Sequence, residues 1–237
     1  MNTHSQIDVA FDFRSDTPGY PKTDPDVFSP TLRRYHKVLW SNPLPNGEMF
    51  DLVDTTPGVY LHHRSRLGEF RLASDTVIPS FRKEARIGHF IDQIREEVTT
   101  FNTIGYTIGG MMLFPGNRVG GKMTINGARG FHPLIKDRFD LTVECIRLLY
   151  RDERSPLSDT LVRYADFFSL FGDLRGYVAF FLLQDLVSED HSAVRFFAPF
   201  EDFNTSPVPS SIEAYMAYRQ NAIEFIEARN RRILLSA

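Results

Sequence analysis

At 237 residues, with 42% hydrophobic and 24% charged side chains, the chain has the composition of an ordinary globular protein and lies far from disordered or fibrous ones. A formal charge of −3 gives no global attraction to nucleic acid or an anionic membrane, and leaves room only for a local basic surface. A single cysteine, Cys145, excludes an internal disulfide and a zinc site built on several thiolates.

Taken in chain order, residues 9–13 alternate apolar and polar, which predicts a half-buried strand. The Pro/Gly/Asp-rich stretch 16–30 is expected to be a loop. Ser29-Pro30 reads as a helix start, a capping side chain followed by proline, with the helix over 31–40 and its end before Asn42-Pro43. Three strands are expected at 49–53, 59–63 and 69–74, the last two joined in a hairpin through Ser65-Arg66-Leu67-Gly68. In that hairpin Tyr60, His62 and Arg64 share one face, and Leu61 and His63 the other.

Residues 80–101 carry Ile87, Ile91, Ile94 and Val98 at helical spacing, predicting one helix. Residues 106–114 read as a central apolar strand, Pro115-Gly116-Asn117 as a turn, and 122–126 as a short return strand. The second half is expected to be helical. A helix over 137–151 begins with Asp137 and Asp140, and Ser155-Pro156 starts another. Gly172-Asp173 ends that one and caps the next, and Ser210 with Glu213 caps a terminal helix reaching Arg232. Strands first and helices afterwards predict an α+β fold, a mostly antiparallel N-terminal sheet with a C-terminal helical bundle packed on it. One domain is expected over 1–237, strand-rich in 1–130 and helix-rich in 131–237.

No glycine loop has dinucleotide or P-loop spacing, since Gly120-Gly121-Lys122 is followed by Met123. No motif requires a cofactor or a metal. The stretch from Gly109 to Arg118, followed by Thr124-Ile125-Asn126-Gly127-Ala128-Arg129-Gly130, places glycines and guanidinium groups ahead of a helix. Such a loop suits a phosphate or carboxylate, and predicts an anion site using Asn126, Arg129, Arg138 and Arg147. The competing reading gives those glycines to turns and those arginines to bridges within the chain. Asp140, Glu144, Arg147 and Arg151 form a polar helical stripe, read as a paired, solvated face. His62, across the hairpin from Glu69, and His132 are the candidate acid/base groups. Arg33, Arg34, His36 and Lys37 interleave with Tyr35 and Trp40, a pattern read as an amphipathic helix with its aromatic rings in the core.

The blocks FDFRSDTPG, FSPTLRRYHKVLW, YTIGGMMLFPGN, TINGARG, DRFDLTVECIR and YADFFSLFGDLRGYVAFFLLQDLV resemble those of an uncharacterised bacterial family, a domain of unknown function. The resemblance runs from Phe11 to Arg232 and implies one complete member, with no activity or cofactor to carry over. Gly127 departs from the family pattern, which has glutamine there. The functional expectation is an intracellular protein that binds a phosphate-bearing ligand, a nucleotide or nucleic-acid end, with hydrolysis or transfer as an extension. The alternative is a non-catalytic interaction module of a stress or phage-defence locus. Phe196, Phe197, Phe200 and Phe203 would then present a surface to a protein partner or a second copy. The N-terminal stretch lacks a basic start and a long apolar core, and residues 177–186 are shorter than the ~20 needed to span a bilayer. The cytoplasm is the expected compartment and no membrane is a partner.

Overall fold

The structure, a computed structural model, describes residues 7–54, 60–79, 81, 84 and 87–236, and of residues 95–98 the backbone alone. Its fold is α+β. A four-stranded antiparallel sheet runs in the order β1 (Val53–Asp54), β2 (Leu61–Ser65), β3 (Gly68–Thr76), β4 (Met111–Pro115). Helices α1 (Pro25–Phe28) and α2 (Pro30–Trp40) precede the sheet, and α3 (Gly88–Ile91) and α4 (Arg95–Gly105) interrupt it. Helices α5 (Ile125–Phe131), α6 (Phe139–Tyr150), α7 (Ser158–Leu161), α8 (Ala165–Ser169), α9 (Leu174–Phe180) and α10 (Ile212–Ser236) follow.

Strand register sorts the sheet side chains onto two faces. His63 opposes Phe70, Leu61 opposes Leu72, and Ser74 opposes Leu113. This face takes α2 and the aromatic core, where Phe50 stacks on His63 at 4.1 Å and Phe70 meets the Phe167 ring at 5.8 Å. The other face carries His62, Arg71, Ala73 and Asp75, with Phe114 and Met112 opposite the last two. The sequence reading of His62 and His63 on opposite faces agrees with this register.

Helix α2 begins as expected, with Ser29 Oγ accepting the Leu32 N–H at 3.1 Å and proline in the first turn. Its apolar side buries Leu32, Tyr35, Leu39 and Trp40, while Arg33 and Lys37 reach Asp54. The rings are therefore core. Trp40 Nε1–H donates to His36 Nδ1 (3.0 Å), which leaves the His36 proton on Nε2, 2.9 Å from Ser74 Oγ.

Several expectations are corrected. Residues 9–13 form turns rather than a strand, because the Phe13 N–H bonds Tyr106 O and the Asp8 N–H bonds Tyr35 Oη instead of a ladder. The strand expected at 49–53 shrinks to β1, with Met49 in an isolated bridge to Pro43. Within 80–101, residues 80, 82–83 and 85–86 lie outside the described residues. The rest divides into α3 and α4, separated at 92–94. Residues 106–110 end α4 and make a 3-10 turn (Ile108–Gly110), so β4 is shorter than predicted and stands at the sheet edge. The return strand at 122–126 is absent. Thr124 Oγ1 instead caps α5 by accepting the Gly127 N–H, and TINGARG is helical.

The long helix α10 packs against the 3-10 turn through glycine. A side chain at Gly109 would meet Ile226 O at 2.6 Å, so only hydrogen allows the approach. Arg229, on the same helix, is fully buried. It donates to Phe181 O (3.1 Å), Gly109 O (3.0 Å) and Met111 O (2.7 Å), and its guanidinium lies 5.5 Å from the Trp40 ring centre. Burial pushes its pKa down to about 10, which still leaves it charged at neutral pH. Among the described residues no helix is long and apolar enough to cross a membrane.

Candidate functional site

The arginines singled out by the sequence are turned inward. Arg129 is 0% exposed; its Nη1 donates to Asp75 Oδ2 (2.8 Å) and Thr76 O (3.2 Å), and its Nη2 to Asp137 O (2.8 Å). The Asp137 carboxylate lies 3.3 Å from its Nε. Arg138 is 1% exposed and gives a two-pronged contact to Asp140, with Nε 3.1 Å from Oδ1. It also donates to Ala198 O (3.2 Å) and Pro207 O (3.4 Å). Arg147 is bidentate to Glu144 at 2.7 and 2.8 Å. The three guanidinium groups thus serve three separate contacts within the chain rather than one loop. The helical stripe of Asp140, Glu144, Arg147 and Arg151 is paired at Arg147 and Glu144 but is not a solvated face, since Asp140 and Glu144 are buried. Asp140 is fully buried, where its Oδ2 accepts the Phe197 N–H at 2.8 Å. That position also corrects its expected role as a first-turn cap, since α6 has Arg138 at its cap position without a side-chain bond.

Asn126 does face an opening. A cleft of about 650 Å³ lies on the Arg71 face of the sheet, between α1, β3 and the connection from β4 to α5. Its walls include Asp24 and Asp26 from α1 and its cap, Arg71 and Asp75 from β3, and Asn117 and Arg118 after β4. Asn126 and Thr124 close it from α5, and Tyr60 from the other side. The Gly116 N–H bonds Arg71 O at 2.6 Å, so Arg118 stands two residues beyond the cross-strand neighbour of Arg71. Both arginines are exposed, and neither meets a carboxylate among the described residues. The Tyr60 ring lies over Gly116, where an added Cβ would fall 2.5 Å from Cε1. Glycine at 116 is what lets the ring close down beside the two guanidinium groups.

Opposite the arginines the cleft is acidic and underfilled. Burial raises the Asp75 carboxyl to about 7, against the pull of Arg129 and with the help of Asp137. Burial, with Asp75 and Asp24 nearby, holds the Asp26 carboxyl well above the carboxylate range, and burial raises Asp137 as well. One guanidinium, Arg129, faces three carboxyl groups and cannot keep all of them ionised. Asp26 Oδ1, Asn117 Oδ1 and Asn126 Oδ1 are buried and accept no hydrogen bond from the described residues.

These carboxyl groups predict a pH dependence. A carboxyl that holds its proton more tightly when folded contributes stability below its unfolded value, near ~3.9, and loses it as pH climbs toward the folded value. For Asp75 that window runs from about 4 up to about 7. Asp75→Asn keeps the shape and removes the titration. It is expected to flatten the fall of unfolding free energy between about pH 5 and 7 by ~1 kcal/mol, less than full linkage gives because water still reaches Asp75. Urea denaturation at the two pH values measures it, and parallel slopes in both proteins would contradict the assignment.

Neither histidine is a wall residue of the cleft, although His62 is the cross-strand neighbour of Arg71 on the same sheet face. His62 Nδ1 is 2.9 Å from Glu69 Oε1, and the residue opposes Arg71, four positions from Asp75, or about 13 Å along the strand. His132 ends α5, about 9 Å from Asn126 along the helix. Its Nδ1 accepts the Leu134 N–H at 3.2 Å, and burial lowers its pKa. Cys145 is buried, with its thiol pushed up to about 12, the behaviour of a packing residue. Among the described residues no group of three or more His, Cys, Asp or Glu could hold a metal ion.

Sequence reasoning missed Asp24, Asp26, Arg71 and Arg118. The signal for Arg71 and Asp75 was present in the alternation Arg71-Leu72-Ala73-Ser74-Asp75, which puts 71, 73 and 75 on one strand face. Asp24-Pro25 is a cap followed by proline, the same start signal that Ser29-Pro30 gives, and Asp24 does accept the Asp26 N–H at 3.0 Å. Gly127 is not sterically required, since a Cβ there would only touch Met123 at 3.5 Å, so a larger residue fits.

Comparison with curated proteins and with solved structures finds no match to either. A family model described as a family of unknown function, DUF6994, matches residues 7–233, and the chain belongs to that family.

Proposed function

We propose that the chain binds a phosphate-bearing ligand, a nucleotide or a nucleic-acid end, in the cleft on the Arg71 face of the sheet. Arg71 and Arg118 are its phosphate ligands, Asn126 is a wall residue, and Arg129 holds Asp75 in place from behind. The observation that carries this reading is the pair of exposed arginines on the wall of the cleft, which meet no carboxylate among the described residues. A guanidinium fork matches two phosphate oxygens at once, and two forks, one on β3 and one just beyond the end of β4, can share one anion. The Tyr60 ring beside them offers a stacking plane for a base.

Titration calorimetry with adenosine monophosphate, on the wild type and on the Arg71→Ala/Arg118→Ala double variant, tests it. Binding to the wild type that the double variant loses is the expected result, and equal affinities would contradict it.

A second reading, hydrolysis or group transfer on that ligand, is favoured by Asp26 and Asp75. Burial raises both carboxyl groups, Asp75 to about 7, and a carboxyl that keeps its proton near neutrality can donate it to a leaving group. The interaction-module alternative has less support. Phe197 is buried against Tyr218 and Phe225, and Phe196, Phe200 and Phe203 pack on one another and on the core. The proposal sets this activity in the bacterial cytoplasm, on the family resemblance and the sequence of the N-terminal stretch. It treats the chain as one domain, in keeping with a core cluster that runs from Ile7 to Ile233.

A further inference from the structure

Asp75 is held from behind and open in front. Its Oδ2 accepts from Arg129 Nη1 at 2.8 Å, while Oδ1 takes no hydrogen bond from the described residues. The side chain keeps 21% of its surface exposed on the cleft wall, so Oδ1, unlike the sealed asparagine oxygens, is within reach of a ligand. A guanidinium has donors only, and the bond to Arg129 therefore fixes which way the carboxyl faces. Asp24, exposed at the cap of α1, uses Oδ1 on the Asp26 N–H at 3.0 Å and has Oδ2 left over.

Residues 71, 73 and 75 share one face of β3, and Arg71 and Asp75 stand about 13 Å apart along it. Between them the floor is low. Ala73 has only a methyl group, and a Cβ at Gly116 would fall 2.9 Å from it and 2.5 Å from Tyr60 Cε1, so the Tyr60 ring leans over this middle ground. A cleft of about 650 Å³ takes a ligand of mononucleotide size. With the phosphate on the two arginines and the base beside Tyr60, the outer edge of the base meets Asp75 and Asp24. Ionised carboxyl groups there are acceptors alone. Guanine presents two adjacent donors on its pairing edge, N1–H and the N2 amine. Adenine and cytosine set a ring-nitrogen lone pair beside a single amine, and uracil sets two carbonyls around one N–H, so each would bring an acceptor against a carboxylate.

We infer, resting on the phosphate-binding reading above, that the ligand is a guanine nucleotide and that Asp75 is the residue that selects the base. The phosphate lies on Arg71 and Arg118, the ring lies along Tyr60, and N1–H and the N2 amine donate to Asp75 Oδ1 and the Asp24 carboxyl.

Titration calorimetry on the full chain tests this at pH 8, where the Asp75 carboxyl, raised by burial to about 7, is ionised. The probes are inorganic phosphate and the 5′-monophosphates of guanosine, inosine, adenosine and xanthosine. Guanosine monophosphate is expected to bind about 10- to 100-fold more tightly than adenosine monophosphate, roughly tenfold for each hydrogen bond. Inosine monophosphate, which lacks the N2 amine, is expected to fall between them. Asp75→Asn carries the sharper readout. Arg129 keeps the amide oxygen on its own side, so the amide N–H₂ turns to the cleft and an acceptor becomes a donor. In that variant the guanosine and adenosine compounds are expected to come within about threefold of each other. Xanthosine monophosphate, with a carbonyl at position 2, is expected to overtake guanosine monophosphate, a gain that a loosened or misfolded variant would not give. Equal affinity for the guanosine and adenosine compounds in the wild type, or a guanosine preference that Asp75→Asn retains, would overturn this inference and leave the phosphate site standing. No binding of any probe would overturn both.

Discussion

Arg229→Ala is expected to lower the unfolding free energy by about 4 kcal/mol or more, because it strands three buried carbonyl oxygens at ~1–3 kcal/mol each and opens a cavity. The carbonyls of Gly109, Met111 and Phe181 belong to the 3-10 turn, the edge strand β4 and the end of α9, and one guanidinium on α10 bonds all of them. Among the described residues no carboxylate meets this charge, so the protein relies on backbone dipoles and the Trp40 ring to hold it. For a chain of this size the loss corresponds to roughly 10–15 °C in thermal midpoint. Arg229→Lys keeps a cation but has no planar fork, and is expected to fall between the wild type and the alanine variant. A midpoint within about 3 °C of the wild type for Arg229→Ala would show that the carbonyls find other donors.

The Arg71→Ala/Arg118→Ala double variant is expected to weaken adenosine monophosphate binding by at least ~100-fold with almost no change in stability. Charge-assisted hydrogen bonds to phosphate are worth ~1.5–3 kcal/mol each, and two lost together give that factor. Both side chains are exposed and bridge no carboxylate among the described residues, so their removal from the folded chain is expected to stay within ~0.5 kcal/mol. This separation is diagnostic. Arg129→Ala and Arg138→Ala, in contrast, leave buried carboxylates unpaired and act through stability. A loss of binding in those variants therefore says little about contact with a ligand. A change of less than about fivefold in the double variant would remove the arginine pair from the account.

The elements legible in the sequence were those fixed by local chemistry. Ser29-Pro30 marks a helix start whatever surrounds it, and Asp173, directly after Gly172, caps α9 by accepting the Gly176 N–H at 2.8 Å. The hairpin from β2 to β3 follows from alternation on both sides of a short turn. The failures have the opposite character. Residues 9–13 alternate because they pack in a tight series of turns under Tyr35 and Tyr106, and periodicity alone cannot tell that from a strand. TINGARG reads as a loop for its two glycines, yet it is helical because Thr124 caps it and Arg129 anchors it inside.

The same limit governs the site. Whether an arginine is a ligand reader or a strut depends on the carboxylate it meets. Arg129 meets Asp75 across 54 positions of chain, beyond any local spacing rule. Arg71 and Arg118 carry no sequence motif, and they stand out only because the fold sets both on one cleft with no carboxylate partner among the described residues.

An NMR titration of the arginine side-chain Nε–H resonances with adenosine monophosphate tests the central claim most directly. The account predicts that Arg71 and Arg118 shift in step with ligand while Arg138, Arg147 and Arg229 stay where they are. Shifts at Arg138 or Arg147 with Arg71 and Arg118 unmoved, or no shift at any arginine at saturating ligand, would contradict it.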